Sequence, residues 1–337
     1  MNLEERVGKM RKLFRQFKLG CLALALPLLA VTQAVHAQAY PVKPITAVVF
    51  GAAGSMPDLF ARAVTRLMSA SMGVPIVIEN LPGASGIVSA EQVIRSRPDG
   101  YTVLFTSSST LVNLPYVMKN VPFDATRDLT PIGATIAPVE MLFARAGLAA
   151  KTLPDLIALA KAHPGDVSYG AAGYGSIMHL NGEQFGSLAG IQLMHVAYKS
   201  PLTALQDVAS GNVDMIFNSY GGMAGMVSTG KIRVIAALGK SRYKGLPNVP
   251  TVAETLPGYK KVDSWFAVMG PANLPRPIVV RLNAELNKAL ASPQMQAWMN
   301  KYVVTPIGGS PDDIARMIQT SSARTKSLVE KIGLQPQ

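Results

Sequence analysis

The sequence predicts an α/β protein of two successive parallel-sheet units behind a cleaved leader. Three observations carry this. Short apolar runs of β-forming residues alternate with segments whose apolar residues recur at helical spacing. The alternation restarts near residue 139. Loops of glycine, alanine and serine join strands to the helices after them, as in open α/β sheets.

The leader comes first. Arg6, Lys9, Arg11, Lys12, Arg15 and Lys18 precede the apolar run Cys21–Val31, and Val35-His36-Ala37-Gln38 has the small-x-small form of a cleavage site. A basic segment, an apolar stretch of roughly 11 residues and a small-residue exit define a secretory signal peptide over 1–37. A membrane span needs about 20 apolar residues, so the run is too short to remain as an anchor. A lipoprotein reading fails on order, because the apolar run follows Cys21. The mature chain is therefore expected to be soluble in the periplasm.

Cutting after Ala37 removes six of 32 basic residues, two of 20 acidic ones and the only cysteine, so the net charge falls from +12 to +8. The mature chain cannot depend on disulfides, thiol catalysis or cysteine-ligated metal. The remaining length buries a core large enough for two domains. A modest positive excess suits small anions or serves solubility. The lysines and arginines are scattered without aromatic interleaving, which speaks against nucleic acid.

In the first unit, strands are expected at 45–50, 75–79 and 101–106, with a helix marked by Leu59, Ala63, Leu67 and Met68 and another over 87–94. The second has strands at 139–144, 167–170, 194–198, 215–217 and 232–237, with a helix over 153–162. A further strand is expected at 264–269, with only helices after it: one marked by Ile278, Leu282, Leu286 and Leu290, and one opened by Ser310-Pro-Asp-Asp313, a cap with acidic residues at the positive helix end.

Three strand–helix loops gather the chemistry: Gly51–Asp58, Thr106–Thr110 and Gly170–Ser176. Ligands of open α/β sheets bind where such loops collect. Small residues let the backbone approach, serine supplies hydroxyls, and helix starts offer unpaired N–H groups, which together describe an oxyanion site. Plain helix capping is the competing reading for at least one loop. Gly170-Ala-Ala-Gly-Tyr-Gly175 lacks the glycine order of a dinucleotide site, and there is no Walker sequence. Ser219-Tyr-Gly221 and Ser228-Thr-Gly230 lack the leading glycine of a nucleophile elbow. Three histidines remain after cleavage. His163 closes a helix, His195 lies in an apolar strand, and His179 is read as structural, orienting the Ser176 loop. His179 and Glu183 share a helix face, but two ligands do not make a metal site.

Tyr40-Pro-Val-Lys-Pro44, Glu79–Gly86, Pro98–Leu104, Tyr169–Ser176, His179-Leu180, Gly211–Asp214, Leu246–Glu254 and Ser264-Trp265 follow one another with consistent spacing. In this combination the mature chain resembles the periplasmic solute receptors of tripartite tricarboxylate transporters, the Bug family. The resemblance implies a type II periplasmic-binding-protein fold, with two α/β lobes, two hinge crossovers and a ligand cleft. Lobe 1 would be 40–138 plus 262–337, and lobe 2 would be 139–261. It implies a receptor that delivers a small carboxylate to membrane permease subunits, as a monomer, without cofactor, metal or catalysis. The alternatives are a sensor presenting its solute to a signalling protein and a periplasmic enzyme on the same scaffold. The enzyme is disfavoured by the scarcity of catalytic groups.

The resemblance places one ligand loop on Ala53–Asp58 and the other on Gly173–Ser176, with Tyr174 where asparagine or a small polar residue is usual. The amides of Gly54, Ser55, Gly175 and Ser176 are expected to hold a ligand carboxylate. Ser107 and Ser108 would reach in from the third strand, Met56 and Tyr174 would make the pocket more apolar, and Lys199, Asn218 and Ser219 would meet the ligand's far end. Asp58 is left with two roles, a contact to a ligand ammonium or a cap completing Ser55-x-x-Asp58. Trp265 is expected beside the second crossover.

Overall fold

The computed structural model describes residues 40–337 and, ahead of them, the helical residues Glu4, Gly8, Met10 and Arg11. The leader's apolar run and its cleavage site lie outside the described residues. Residues 1–42 and 43–337 separate into two units, and the fold below is that of the second.

The chain opens with β1 (Ile45–Val49), α1 (Met56–Met72), β2 (Ile76–Asn80), α2 (Ile87–Ile94) and β3 (Thr102–Ser107). β1 lies between β2 and β3 and is parallel to both. A strand covered on both faces reads as an unbroken apolar run, which is how β1 is visible in the sequence. A π-type turn over Ser109–Asn113 runs into α3 (Leu114–Val117), and α4 (Ala125–Asp128) leads into β4 (Leu129–Ala134). β4 has no counterpart among the expected strands, because Pro131 and Gly133 break its pattern. It ends its sheet, where a proline is tolerated.

β5 (Ile136–Pro138) carries the chain across to β6 (Glu140–Arg145), α5 (Leu153–Ala162), β7 (Ser168–Ala172), α6 (Ile177–Ala189), β8 (Met194–Tyr198), α7 (Pro201–Ser210), β9 (Met215–Ser219), α8 (Tyr220–Ser228) and β10 (Ile232–Ala237). These strands form a sheet of order β10-β6-β9-β7-β8. After α9 (Val252–Thr255) the chain recrosses to β11 (Phe266–Pro271), which enters antiparallel between β3 and β4 and gives the order β2-β1-β3-β11-β4. Each sheet thus holds three parallel strands, then one antiparallel strand beside a crossover, then an outer strand.

The chain continues through α10 (Arg276–Ala291), α11 (Pro293–Tyr302), β12 (Val304–Pro306) and α12 (Pro311–Ile332). β12 pairs antiparallel with β5, so the first crossover is a two-stranded ribbon. This corrects the expectation that only helices follow β11. Three residues are too short to leave a periodic signal. α12 starts in a complete capping box, Ser310 with Asp313, as its sequence predicts.

Each sheet carries its own apolar core, one around Met141–Ala144, Tyr169, Phe185 and Phe217, the other around Val48, Leu104, Trp265 and Ile314. A smaller cluster of Val117, Leu180, Val262 and Val329 joins the two bodies. Asp214 accepts from the Ser168 N–H at 2.9 Å and Arg145 Nε at 2.8 Å, tying the start of β9 to β7 and β6. That explains the Asn-Val-Asp motif as architecture.

Candidate functional site

The parallel strands of both sheets end in loops that face each other. A Cβ built on Gly173 would lie 3.7 Å from Ser85 Oγ, and one on Gly175 only 2.1 Å from Val117 Cγ2. The loop after β7 therefore rests on the loop after β2 and on the end of α3. Gly175 has φ +71°, which suits glycine on backbone grounds as well.

The loop before α1 is organised by Asp58, which is 1% exposed. Its Oδ2 accepts from the Gly54 N–H at 2.8 Å and Arg62 Nε at 3.0 Å. Its Oδ1 accepts from Asn80 Nδ2 at 2.9 Å and meets Arg62 Nη2 at 2.9 Å. Burial alone would raise this carboxyl, but the bonds from Arg62, Gly54 and Asn80 outweigh it and hold the pKa below 3.8. The Ser55 cap is corrected. The Ser55 hydroxyl donates to Ala52 O at 2.6 Å, no side chain caps α1, and Asp58 reaches Gly54 instead of the cap residue.

On the neighbouring loop, Ala84 and Ser85 both have positive φ, a strained conformation away from glycine. Thr110 Oγ1 holds it by donating to Ser85 O at 2.8 Å, and Gly86 packs so close to Thr110 that a Cβ there would lie 2.4 Å from Oγ1. Ser85 is exposed, and its hydroxyl has no hydrogen-bond partner among the described residues. It was missed as a site residue, although Pro82-Gly-Ala-Ser-Gly86 repeats the small-residue strand–helix pattern. Ser107 is buried, with Oγ 3.4 Å from Thr110 Oγ1. Ser108 turns elsewhere: its hydroxyl donates to Asp263 O at 2.9 Å and its N–H to Trp265 O at 2.9 Å. It fastens the second crossover, contrary to its expected reach into the cleft.

In the facing loop, Ser176 caps α6 by accepting from the His179 N–H at 3.2 Å. His179 Nδ1 accepts from the Gly175 N–H at 3.1 Å, which assigns the ring proton to Nε2, 3.7 Å from Glu183 Oε1. His179 lies 4.3 Å from the His195 ring and 4.6 Å from the Tyr174 ring. Burial pushes His179 down to about 3 and lowers His195 as well. Both are neutral near pH 7, and His179 orients the loop as expected. Glu183 also accepts from the Tyr169 hydroxyl at 2.5 Å. Tyr174 donates its hydroxyl to Gln335 O at 2.8 Å and packs with Leu334 and Ile332, so its ring lies against the C-terminal segment.

The four amides expected to hold a carboxylate are thus engaged within their own loops: Gly54 with Asp58, Ser55 with Ala52 O, Gly175 with His179 and Ser176 with Gly173 O. Other groups remain open. No side chain caps α1, which begins at the half-buried Met56, or α8, which begins after Ser219, although the first N–H of α8, on Tyr220, donates to Val139 O at 2.8 Å and Gly221 packs against Tyr302 O. Lys199 is exposed just past the end of β8 and forms no ion pair among the described residues. Asn218 Oδ1 accepts from the Ser219 N–H at 2.7 Å, leaving its amide nitrogen and the Ser219 hydroxyl unbonded. Among the described residues no three side chains gather as metal ligands, and neither nitrogen of His179 reaches a serine hydroxyl.

The crossovers are tied together behind the cleft. Lys261 Nζ lies 3.3 Å from Glu140 Oε2, joining the second crossover to the first. Asn181 Oδ1 accepts from the Tyr259 hydroxyl at 2.8 Å and the Val262 N–H at 3.1 Å. Trp265 is buried beyond this hinge, with Nε1 donating to Ser321 on α12 at 3.4 Å.

Two α/β lobes on a double crossover, with strand-end loops facing across a cleft, define a solute-binding protein of the type II periplasmic-binding class. Solved structures agree. R. palustris Rpa4515 with adipate superposes with a TM-score of 0.83 at 30% identity, covering 88% of this chain and 100% of that one. MatC from Rhodopseudomonas palustris with bound malate gives 0.79 at 27%, covering 86% and 100%. The model of the tripartite tricarboxylate transporter family receptor matches residues 60–334. Protein BugT of Bordetella pertussis is 30% identical over 318 residues, 94% of this chain and 97% of its own. The chain belongs to the tripartite tricarboxylate transporter receptor family, a family of solute-binding receptors and not of enzymes.

Proposed function

We propose that this protein, secreted to the periplasm by the leader at 1–37, captures a small carboxylate between its lobes as a monomer and delivers it to the membrane permease subunits of a tripartite transporter. The observation that carries this is the meeting of the β7 loop with the β2 loop and the end of α3 across a cleft where the helix start at Met56 carries no side-chain cap. Uncapped helix starts attract an anion without a fixed cation that would stand unpaired when the site empties. Adipate in one similar structure and malate in another point to the same ligand class. No helix among the described residues is long and apolar enough to cross a membrane.

The pivot lies where 138 meets 139 and 261 meets 262, the proposed lobe boundaries. The loops at Ala53–Asp58 and Gly173–Ser176 serve as walls with their own amides internally satisfied. The contacts fall to the open groups: Met56, Ser85, Lys199, Asn218 and Ser219. A ligand touching both lobes biases the hinge toward closure.

A thermal-shift screen of residues 38–337 against mono-, di- and tricarboxylates tests this. An acid at 100 times its Kd adds about 2.7 kcal/mol of stability. One acid or a narrow group should raise the melting temperature, and Ser219→Ala with Lys199→Met should reduce the shift. A flat response across all carboxylates would sink the proposal.

A further inference from the structure

The state of Asp58 carries an inference that rests on the carboxylate reading and narrows it. A carboxylate offers about four acceptor positions. Three are filled by hydrogen bonds, from the Gly54 N–H and Arg62 Nε on Oδ2 and from Asn80 Nδ2 on Oδ1, and Arg62 Nη2 stands against Oδ1 at 2.9 Å as an ion pair. Arg62 stands one turn along α1, which places its guanidinium beside Asp58, and its Nη2 also donates to Asn80 Oδ1 at 3.2 Å. The unit is neutral, with both carboxylate oxygens engaged, and nearly sealed from water at Asp58.

Backbone acceptors beside Asp58 are taken as well. Gly51 O accepts from Asn80 Nδ2 at 2.9 Å, Ala52 O from the Ser55 N–H and hydroxyl, and Ser85 O from Thr110 Oγ1. Glu140 Oε2 lies 3.3 Å from Lys261 Nζ at the crossovers, and Glu183 Oε1 receives the Tyr169 hydroxyl at 2.5 Å. The open groups are mainly donors: Lys199, the Asn218 amide and the uncapped start of α1, with the Ser85 and Ser219 hydroxyls able to donate or accept. An ammonium directed at Asp58 would find that carboxylate already engaged, and Lys199 would repel it.

We infer that the cleft selects acids that lack an α-ammonium group, and that Arg62 sets this selectivity by closing Asp58 to the ligand. A site whose donors and acceptors do not match a ligand's polar group rejects it far more strongly than a pocket rejects a change of one methylene. Arg62 is a positioning residue in this scheme. It acts through Asp58 and touches no ligand.

The test is calorimetric titration with matched pairs: succinate and aspartate, glutarate and glutamate, adipate and 2-aminoadipate. Wherever the diacid binds, its amino counterpart should bind on the order of 100-fold more weakly. An amino acid binding as tightly as its diacid would overturn the selectivity while leaving the carboxylate receptor standing. No binding by any member would defeat the carboxylate reading and this inference together. Arg62→Leu, checked for folding by its melting temperature, frees Asp58 to meet an ammonium and should narrow the gap at least about tenfold. A folded Arg62→Leu protein with the gap unchanged would remove Arg62 as its cause.

Discussion

At the scale of single residues, burial sets the chemistry of the binding loop. His179 accepts the Gly175 N–H only while its Nδ1 is unprotonated, and burial holds its folded pKa at about 3 against an ordinary value of 6.5. The unfolded chain therefore binds a proton that the folded chain refuses as pH falls from 6.5 toward 3. Stability from this residue is complete above pH 6.5 and lost below it, at up to about 1.4 kcal/mol per pH unit. Urea unfolding at pH 7 and pH 5 should show the loss, and His179→Asn should flatten it. An unchanged slope in the variant would assign the loss elsewhere. Asp58 acts in a lower window: its depressed pKa gives stability above 3.8 that disappears as pH falls further. The i,i+4 pair of Asp58 with Arg62 is legible in the sequence. The part played by Asn80 is not, because it arrives from the next strand, and without it the carboxylate looks open to a ligand.

At the scale of elements, glycines decide how closely the lobes approach. Gly175→Val would drive a side chain into Val117 at a backbone position that already disfavours it, so the loops should be held apart. The expected result is at least tenfold weaker binding of the acid found in the thermal screen, with a folded protein by circular dichroism. Adding Val117→Ala should recover part of the loss, and binding at full strength in Gly175→Val would contradict the packing. Ser310→Ala removes a hydroxyl that accepts from the Asp313 N–H at 3.2 Å and should cost about 1 kcal/mol in urea unfolding. Most elements were legible because their signal is local. The helices at 87–94 and 153–162 and the strands at 194–198 and 232–237 match their apolar patterns residue for residue. β4, β5 and β12 were not, since proline, glycine or brevity erases the pattern and only pairing with distant strands defines them. The same limit hid Ser85, whose loop looks like a plain turn until Gly173 is brought against it.

At the scale of the whole molecule, two five-stranded sheets of matching order meet through two tied crossovers. Trp265 lies at the end of the second crossover, anchored to Ser108 and to Ser321 on α12. Its emission should shift when an acid closes the cleft, with the second tryptophan removed by Trp298→Phe. A silent Trp265 during proven binding would show that closure does not strain this junction. The sequence reveals the two-unit plan, because the strand–helix alternation visibly restarts. It does not reveal which loop groups remain free, since that depends on bonds closed only after the sheets form. A crystal structure of residues 38–337 with the diacid that most raises the melting temperature tests the receptor account most directly. One ligand carboxylate is expected between the lobes, bonded to groups of both, with Asp58 still held by Arg62 and Asn80. A diacid bound outside the cleft, or held by one lobe alone, would contradict it.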